Sequence, residues 1–313
     1  VKDGDIHDRD LVKAGGRKVK AKSIAFPGVM PGAIVEYRYL ELRHNPRLLY
    51  IRLDFQREFP VRSVTYFLKP LSGQYTTYGM GLHPFSCSPS ALNLERDGFH
   101  STALTNVEAF KAEPYMPGEA AAKKWALVIY SQDEKRDPDK YWNKMGKVVY
   151  SEMKSALKAD DKVKAAAQEA VAQSKTGEEK ALALLGYLRK NIRSLFGTQV
   201  TEAERAEILR KMPKQRHRTA SEILKTGVGT PNEMNTLFAS MAAAVGLDAR
   251  PALTGDRSDL PFNPAMADVY FLPNIDMAVL IDGKWKLFDV STSLLPPSMI
   301  GWTEQGMPAL LSD

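Results

Sequence analysis

The stretch Gly227-Val228-Gly229-Thr230-Pro231-Asn232-Glu233-Met234-Asn235 constrains this chain more than any other. Thr230 and Glu233 have the spacing of a capping box, in which hydroxyl and carboxylate each satisfy an amide that the first helical turn leaves unpaired. Pro231 falls at the first helical position, where a missing N–H costs nothing. Leu237, Phe238, Met241 and Val245 follow at helical spacing, and Gly246 offers a stop. The pattern predicts the entrance to a buried helix, so a core has to be built around it.

The same start signal recurs at Thr176 with Glu179 and at Thr219 with Glu222, the latter ahead of a short helix ended by Gly227. Helix formers without proline fill 141–157 and 161–172. Before them the period is two. Segments 33–40 (after the turn Met30-Pro31-Gly32), 49–55, 61–68 and 125–130 read as strands, and 71–120 is rich in Gly, Pro, Ser and Thr without a helical period. After Gly246 the period returns to two at 250–253 and 267–272. It then forms a hairpin, 277–281 and 284–290 around Asp282-Gly283, a type I′ turn signal.

A length of 313 residues suggests two domains. The composition shift places them at 1–135, an antiparallel β-sandwich expected to be truncated at its N-terminus, and 136–313, a helical connector followed by an α+β core. A net charge of +6 is spread along the chain, so no nucleic-acid partner is expected. Cys87 is the sole cysteine, which excludes an internal disulfide and a cysteine-based zinc site. His7, His44, His83, His100 and His217 show no metal-ligand spacing and read as surface or packing residues. No metal or cofactor is expected, and no apolar run is long enough for a transmembrane segment. The start at Val1, in mid-pattern and without methionine, suggests a processed or trimmed chain.

Helix, capped short helix, glycine-rich approach, buried helix and a hairpin ending in aspartate form an order that resembles the transglutaminase-like superfamily, with its papain-like core. The resemblance runs from about 174 to 295. It is carried by Thr219-Ala220-Ser221-Glu222-Ile223-Leu224-Lys225, Gly227-Val228-Gly229, the helix from Asn232, and Asp282-Gly283-Lys284-Trp285 with Asp289. Residues 25–32 with Glu36-Tyr37-Arg38-Tyr39 resemble the β-rich domain of unknown function that precedes such cores in secreted bacterial proteins. The resemblance implies a periplasmic or secreted location and a further β domain beyond the C-terminus.

In active members of the superfamily a cysteine opens the buried helix, a histidine begins the first hairpin strand and an aspartate ends the second. Matched position by position, these fall at Pro231, Asn274 and Asp289. Proline removes the thiol and also the backbone N–H that papain-type sites use as an oxyanion donor. Thr230 would need a general base within reach, and no histidine follows His217, so its reading is a cap. Asp289 reads as structural, bonding Asn274 and nearby amides.

The sequence therefore predicts a catalytically inactive transglutaminase-like module that binds or scaffolds. Its candidate cleft residues are Thr230, Asn232, Glu233, Asn274 and Asp289, with Asp256 and Arg257 on a polar loop that borders the cleft. A peptide or protein segment is the partner this allows. The alternative is a hydrolase that works without cysteine, through Asp289 or Glu233, and a third reading makes the core a spacer between β domains.

Overall fold

The computed structural model describes residues 5–14, 17–36, 49–71, 75–132, 136–154, 157–212, 218–292, 294–297 and 299–313. The first half is built of antiparallel strands. Among the described residues β1 (Ile6–Ala14) and β2 (Arg17–Ile24) pair only with each other. Then follow β3 (Tyr50–Asp54), β4 (Val61–Leu68), β5 (Gly79–Phe85), β6 (Asn93–Leu94), β7 (His100–Val107), the single turn α1 (Glu119–Ala122) and β8 (Trp125–Ser131). They form two three-stranded sheets, in the orders β3-β8-β5 and β4-β7-β6.

An apolar layer of Leu53, Phe55, Leu68, Ala126, Val128 and Tyr130 lies between these sheets, with Val64, Tyr66 and Leu104 against it. The continuous apolar run of β8 has its cause here. Its even-numbered side chains fill this layer, while Trp125, Leu127 and Ile129 fill a second one facing the rest of the protein.

The second half begins with α2 (Pro138–Lys154), α3 (Asp161–Ala170) and α4 (Gly177–Asn191). The two-residue β9 (Arg193–Ser194), α5 (Glu202–Lys211), α6 (Ala220–Thr226), the equally short β10 (Val228–Gly229) and α7 (Pro231–Ala244) follow. β11 (Ala249–Thr254), β12 (Asn274–Ile281), β13 (Lys284–Phe288) and β14 (Ala309–Leu311) make a four-stranded sheet in the order β13-β12-β11-β14. α7 runs through the main core. Leu237, Phe238 and Met241 are fully buried among Leu184, Leu188, Ile223, Met277 and Val279, and Phe238 packs on Phe288 with ring centroids 5.9 Å apart. Among the described residues no helix is long and apolar enough to cross a membrane.

Each of the three capping boxes forms, at Thr176, Thr219 and Thr230. Gly227 closes α6 in the left-handed region, at φ 65°. Asp282 and Gly283, at φ 50° and 75°, turn β12 into β13 as the type I′ signal requires.

Four expectations need correction. Residues 33–36 form no strand, and 37–40 lie outside the described residues, as do His44 and His217. Residues 267–272 contain a 3-10 turn over Val269–Phe271, because the Asp268 carboxylate accepts the Tyr270 N–H at 2.9 Å and curls the backbone. α2 starts earlier than the expected 141, with Pro138 in its first turn. The Gly- and Ser-rich span 71–120 contains β5, β6 and β7, whose burial follows no period of two.

Candidate functional site

The helix entrance binds the polar groups of Thr230, Glu233 and Arg218 to one another. Thr230 Oγ1 accepts the Glu233 N–H at 3.3 Å, and the Thr230 N–H donates to Glu233 Oε2 at 2.8 Å. Pro231, at the first helical position, has no N–H to satisfy. Glu233 is 7% exposed and faces Arg218, itself 8% exposed. Arg218 Nε donates to Oε1 at 2.7 Å and Nη2 to Oε2 at 2.5 Å, the bidentate geometry in which guanidinium and carboxylate bind best. Nη2 also donates to the Val228 carbonyl at 3.0 Å, and Nη1 to Thr226 Oγ1 at 3.1 Å. Burial pushes the Glu233 carboxyl up, but Arg218 and the Thr230 amide outweigh it and hold the group below its ordinary value. Asn232 stays exposed, and its carbonyl accepts from Thr236 Oγ1 at 2.9 Å.

One turn further on, on the face that Pro231 presents, Asn235 Nδ2 donates to the Ile275 carbonyl at 2.7 Å. This bond ties the helix entrance to the start of β12. Asn274 is there, half-buried, and its Nδ2 donates to the Gly255 carbonyl at 3.2 Å. Asp289, 8% exposed, lies just past β13 and does not bond Asn274. Its Oδ1 accepts from the N–H groups of Ser291 at 2.9 Å and Thr292 at 3.0 Å and from Ser291 Oγ at 3.2 Å, so it caps the following turn. Its carbonyl accepts from Arg189 Nη2 at 3.1 Å.

The loop expected to rim the cleft is docked rather than free. Asp256 Oδ1 accepts from the Ser258 N–H at 2.9 Å. Asp259 forms a bidentate pair with Arg52 of β3. Arg257 donates from its N–H to the Thr303 carbonyl at 2.8 Å and from Nη1 to the Gln305 carbonyl at 3.2 Å. Thr254 Oγ1 donates to Glu304 Oε2 at 2.8 Å, and Met307 lies close over Gly255. Residues 303–307 thus lie across the place where Asn274 meets β11.

Sequence reasoning missed what lies beneath. Asp276 on β12 is 5% exposed, and its Oδ2 has no protein donor. Burial first, then the hydrogen bond and charge of Glu304 and the charge of Asp289, push its carboxyl well above the usual carboxylate range. A carboxyl raised in this way favours its protonated form, which an apolar surround tolerates better than the charged one. The one available signal was a carboxylate in the otherwise apolar Ile275-Asp276-Met277-Ala278-Val279. Arg218 and Glu304 gave none.

The seam between the halves holds a second polar cluster. Asp268 is 2% exposed and pairs with Arg136, and its Oδ1 accepts from Tyr50 Oη at 2.7 Å. Burial and the Asp268 carboxylate raise the Tyr50 phenol.

Residues 164–289 match the family model of the transglutaminase-like superfamily. No curated protein matches the chain. Among solved structures, a candidate protease from Parabacteroides distasonis ATCC 8503 is similar over 91% of this chain and 53% of its own, at 16% identity and a TM-score of 0.49. A candidate cysteine protease from Cytophaga hutchinsonii is similar over 84% of this chain and 79% of its own, at 14% identity and a TM-score of 0.33. A protein described as a TGase is similar over 59% and 45%, at 11% identity and a TM-score of 0.28. The chain therefore spans about half the length of the first of these. The helix entrance, α7 and the hairpin to Asp289 all fall within the family match, so this chain carries a transglutaminase-like domain, behind a β-rich region of antiparallel sheets.

Proposed function

We propose that this protein is a non-catalytic transglutaminase-like module that binds or scaffolds, outside the cytoplasm in the periplasm or as a secreted protein, with domains at 1–135 and 136–313. The observation that carries this reading is the chemistry of the helix entrance. Pro231 stands where the superfamily places its thiol, and Asn274, where the histidine would be, has no basic nitrogen and is bonded to Gly255. A helix N-terminus activates a thiol, but here it has none to activate. The hydrolase alternative loses support for a matching reason. Glu233 is engaged by Arg218 and its own cap, and Asp289 by Ser291 and Thr292.

The place a partner segment would take is lined by this chain's own residues 303–307, so such a segment enters by displacing them. The test is an assay of the purified protein for transamidation and peptide hydrolysis, with and without iodoacetamide. No turnover above background is expected. Iodoacetamide-sensitive turnover would overturn the reading.

A further inference from the structure

The seam between the β-rich half and the core leaves a cavity of about 230 Å³. Its walls are Ile129, Met266 and Phe271, Gly81 lies at one side, and its polar end holds His83 and Arg136. That end is constructed. The Asp268 carboxylate accepts from Arg136, from Tyr50 Oη at 2.7 Å and from the Tyr270 N–H at 2.9 Å. Arg136 in turn donates to the Ala267 carbonyl at 2.9 Å and to Ser131 Oγ at 2.6 Å, which fixes its guanidinium at the wall with its charge matched.

His83 is solvent-exposed where it lines the cavity, and its ring lies close to Gly81. A Cβ at Gly81 would come within 3.1 Å of its Nε2, and no described residue bonds its ring nitrogens. Partial burial and Arg136 lower the imidazole below its ordinary value against the opposing pull of Asp268. A neutral imidazole presents one N–H and one bare nitrogen.

We propose that this cavity is a binding site for one phenolic side chain, a tyrosine presented by a partner polypeptide. The volume lies below the roughly 300–1,000 Å³ of ordinary small-molecule pockets and suits a single ring. The lining joins the apolar Ile129, Met266 and Phe271, as a ring requires, to the polar His83 and Arg136, as a hydroxyl requires. A phenol donates to the bare imidazole nitrogen and accepts from a neighbouring N–H at once. A carboxylate can only accept and an ammonium can only donate, so neither meets a donor and an acceptor at once. Buried tyrosines with a satisfied hydroxyl are recurrent anchors of protein interfaces. The site lies apart from Pro231, Asn274 and Asp289, so it stands or falls independently of whether the core is catalytic.

The test is an NMR titration of the intact chain with N-acetyltyrosinamide, N-acetylphenylalaninamide and N-acetylaspartate. The tyrosine probe is expected to give saturable shifts at Gly81, His83 and Ala267. The phenylalanine probe should bind about tenfold more weakly, the worth of one neutral hydrogen bond, and the aspartate probe more weakly still. His83→Phe should bring the two aromatic probes to equal affinity, and Ala265→Phe should abolish binding of both while the native spectrum persists elsewhere. No saturable binding of the tyrosine probe, equal aromatic affinities in the unaltered chain, tightest binding of the aspartate probe, or retained binding in the Ala265→Phe variant would each overturn the proposal.

Discussion

The entrance to α7 and the seam between the two halves are both organised by an arginine–carboxylate pair, with opposite results. At the entrance, Arg218 and Glu233 are almost fully buried and bonded to each other, to the Val228 carbonyl and to the Thr230 N–H, which leaves neither group free to meet a substrate. At the seam, Arg136 is 22% exposed and its pair with Asp268 borders a cavity and an unbonded imidazole. The entrance spends its polar groups on holding a helix, whereas the seam uses them to support a space. The site that resembles a catalytic centre is thus closed, and the open one lies where no family motif points.

Breaking the entrance should have the largest effect. Arg218→Ala leaves the Glu233 carboxylate buried without its partner, and a loss of about 3–5 kcal/mol is expected in urea unfolding. The sign of the pH dependence follows from the lowered Glu233 group. Its contribution is full above the ordinary glutamate value and lost as pH falls through the folded one. The variant should therefore lose less on acidification than the unaltered protein. A loss below about 1 kcal/mol would mean that the pair does not hold the entrance.

The seam comes next. A Cβ at Gly118 would overlap the Ser258 carbonyl, so Gly118→Ala must push the β-rich half off the loop that Arg52 and Asp259 hold. A cost of about 1–3 kcal/mol is expected, with faster hydrogen exchange at 256–260 while the α7 amides keep their protection. Equal loosening of α7 would show that the two regions are one cooperative unit.

Asp276→Asn should act more gently and in the opposite direction. With its folded value raised, Asp276 holds a proton that the unfolded chain has lost, so the native protein loses stability as pH rises from the ordinary carboxylate range toward the raised value. Asparagine keeps a donor for Glu304 and removes that slope. A gain on the order of 1 kcal/mol, or about 2–4 °C in melting temperature, is expected at pH 8 and little or none at pH 4. The smallest effect belongs to Asn232→Ala, within about 0.5 kcal/mol, because the side chain is exposed and only its carbonyl is bonded.

Much of this could be read from the chain, and the limits have physical causes. The capping boxes at Thr176, Thr219 and Thr230 and the Asp282-Gly283 turn are local chemistry among residues three or four apart, so their geometry follows from their order. Strand β8 was legible because six consecutive buried residues leave a continuous apolar run. Strands β5 and β7 were not, since their burial does not alternate and their composition resembles that of loops. Residues 267–272 misled for the converse reason: apolar side chains suggested a strand, and a single Asp268 hydrogen bond bent them into a turn. Asp256 and Arg257 have loop composition and form a loop, but that loop is docked by Arg52, Thr303 and Gln305, none of which is near in sequence.

The chain order alone determined the transglutaminase-like arrangement of the second half, the start of α7 at Thr230-Pro231, and the presence of a proline at 231 and an asparagine at 274. These are statements about residue identity and neighbours within a turn, and folding does not alter them. The tertiary structure decided the rest. It buried Arg218 against Glu233, placed residues 303–307 over the start of β12, buried Asp276 beside Glu304 so that its carboxyl is raised, and left a cavity beside His83. Each of these depends on groups brought together across long stretches of chain in a low-dielectric interior, where charge and space are set by burial rather than by sequence distance.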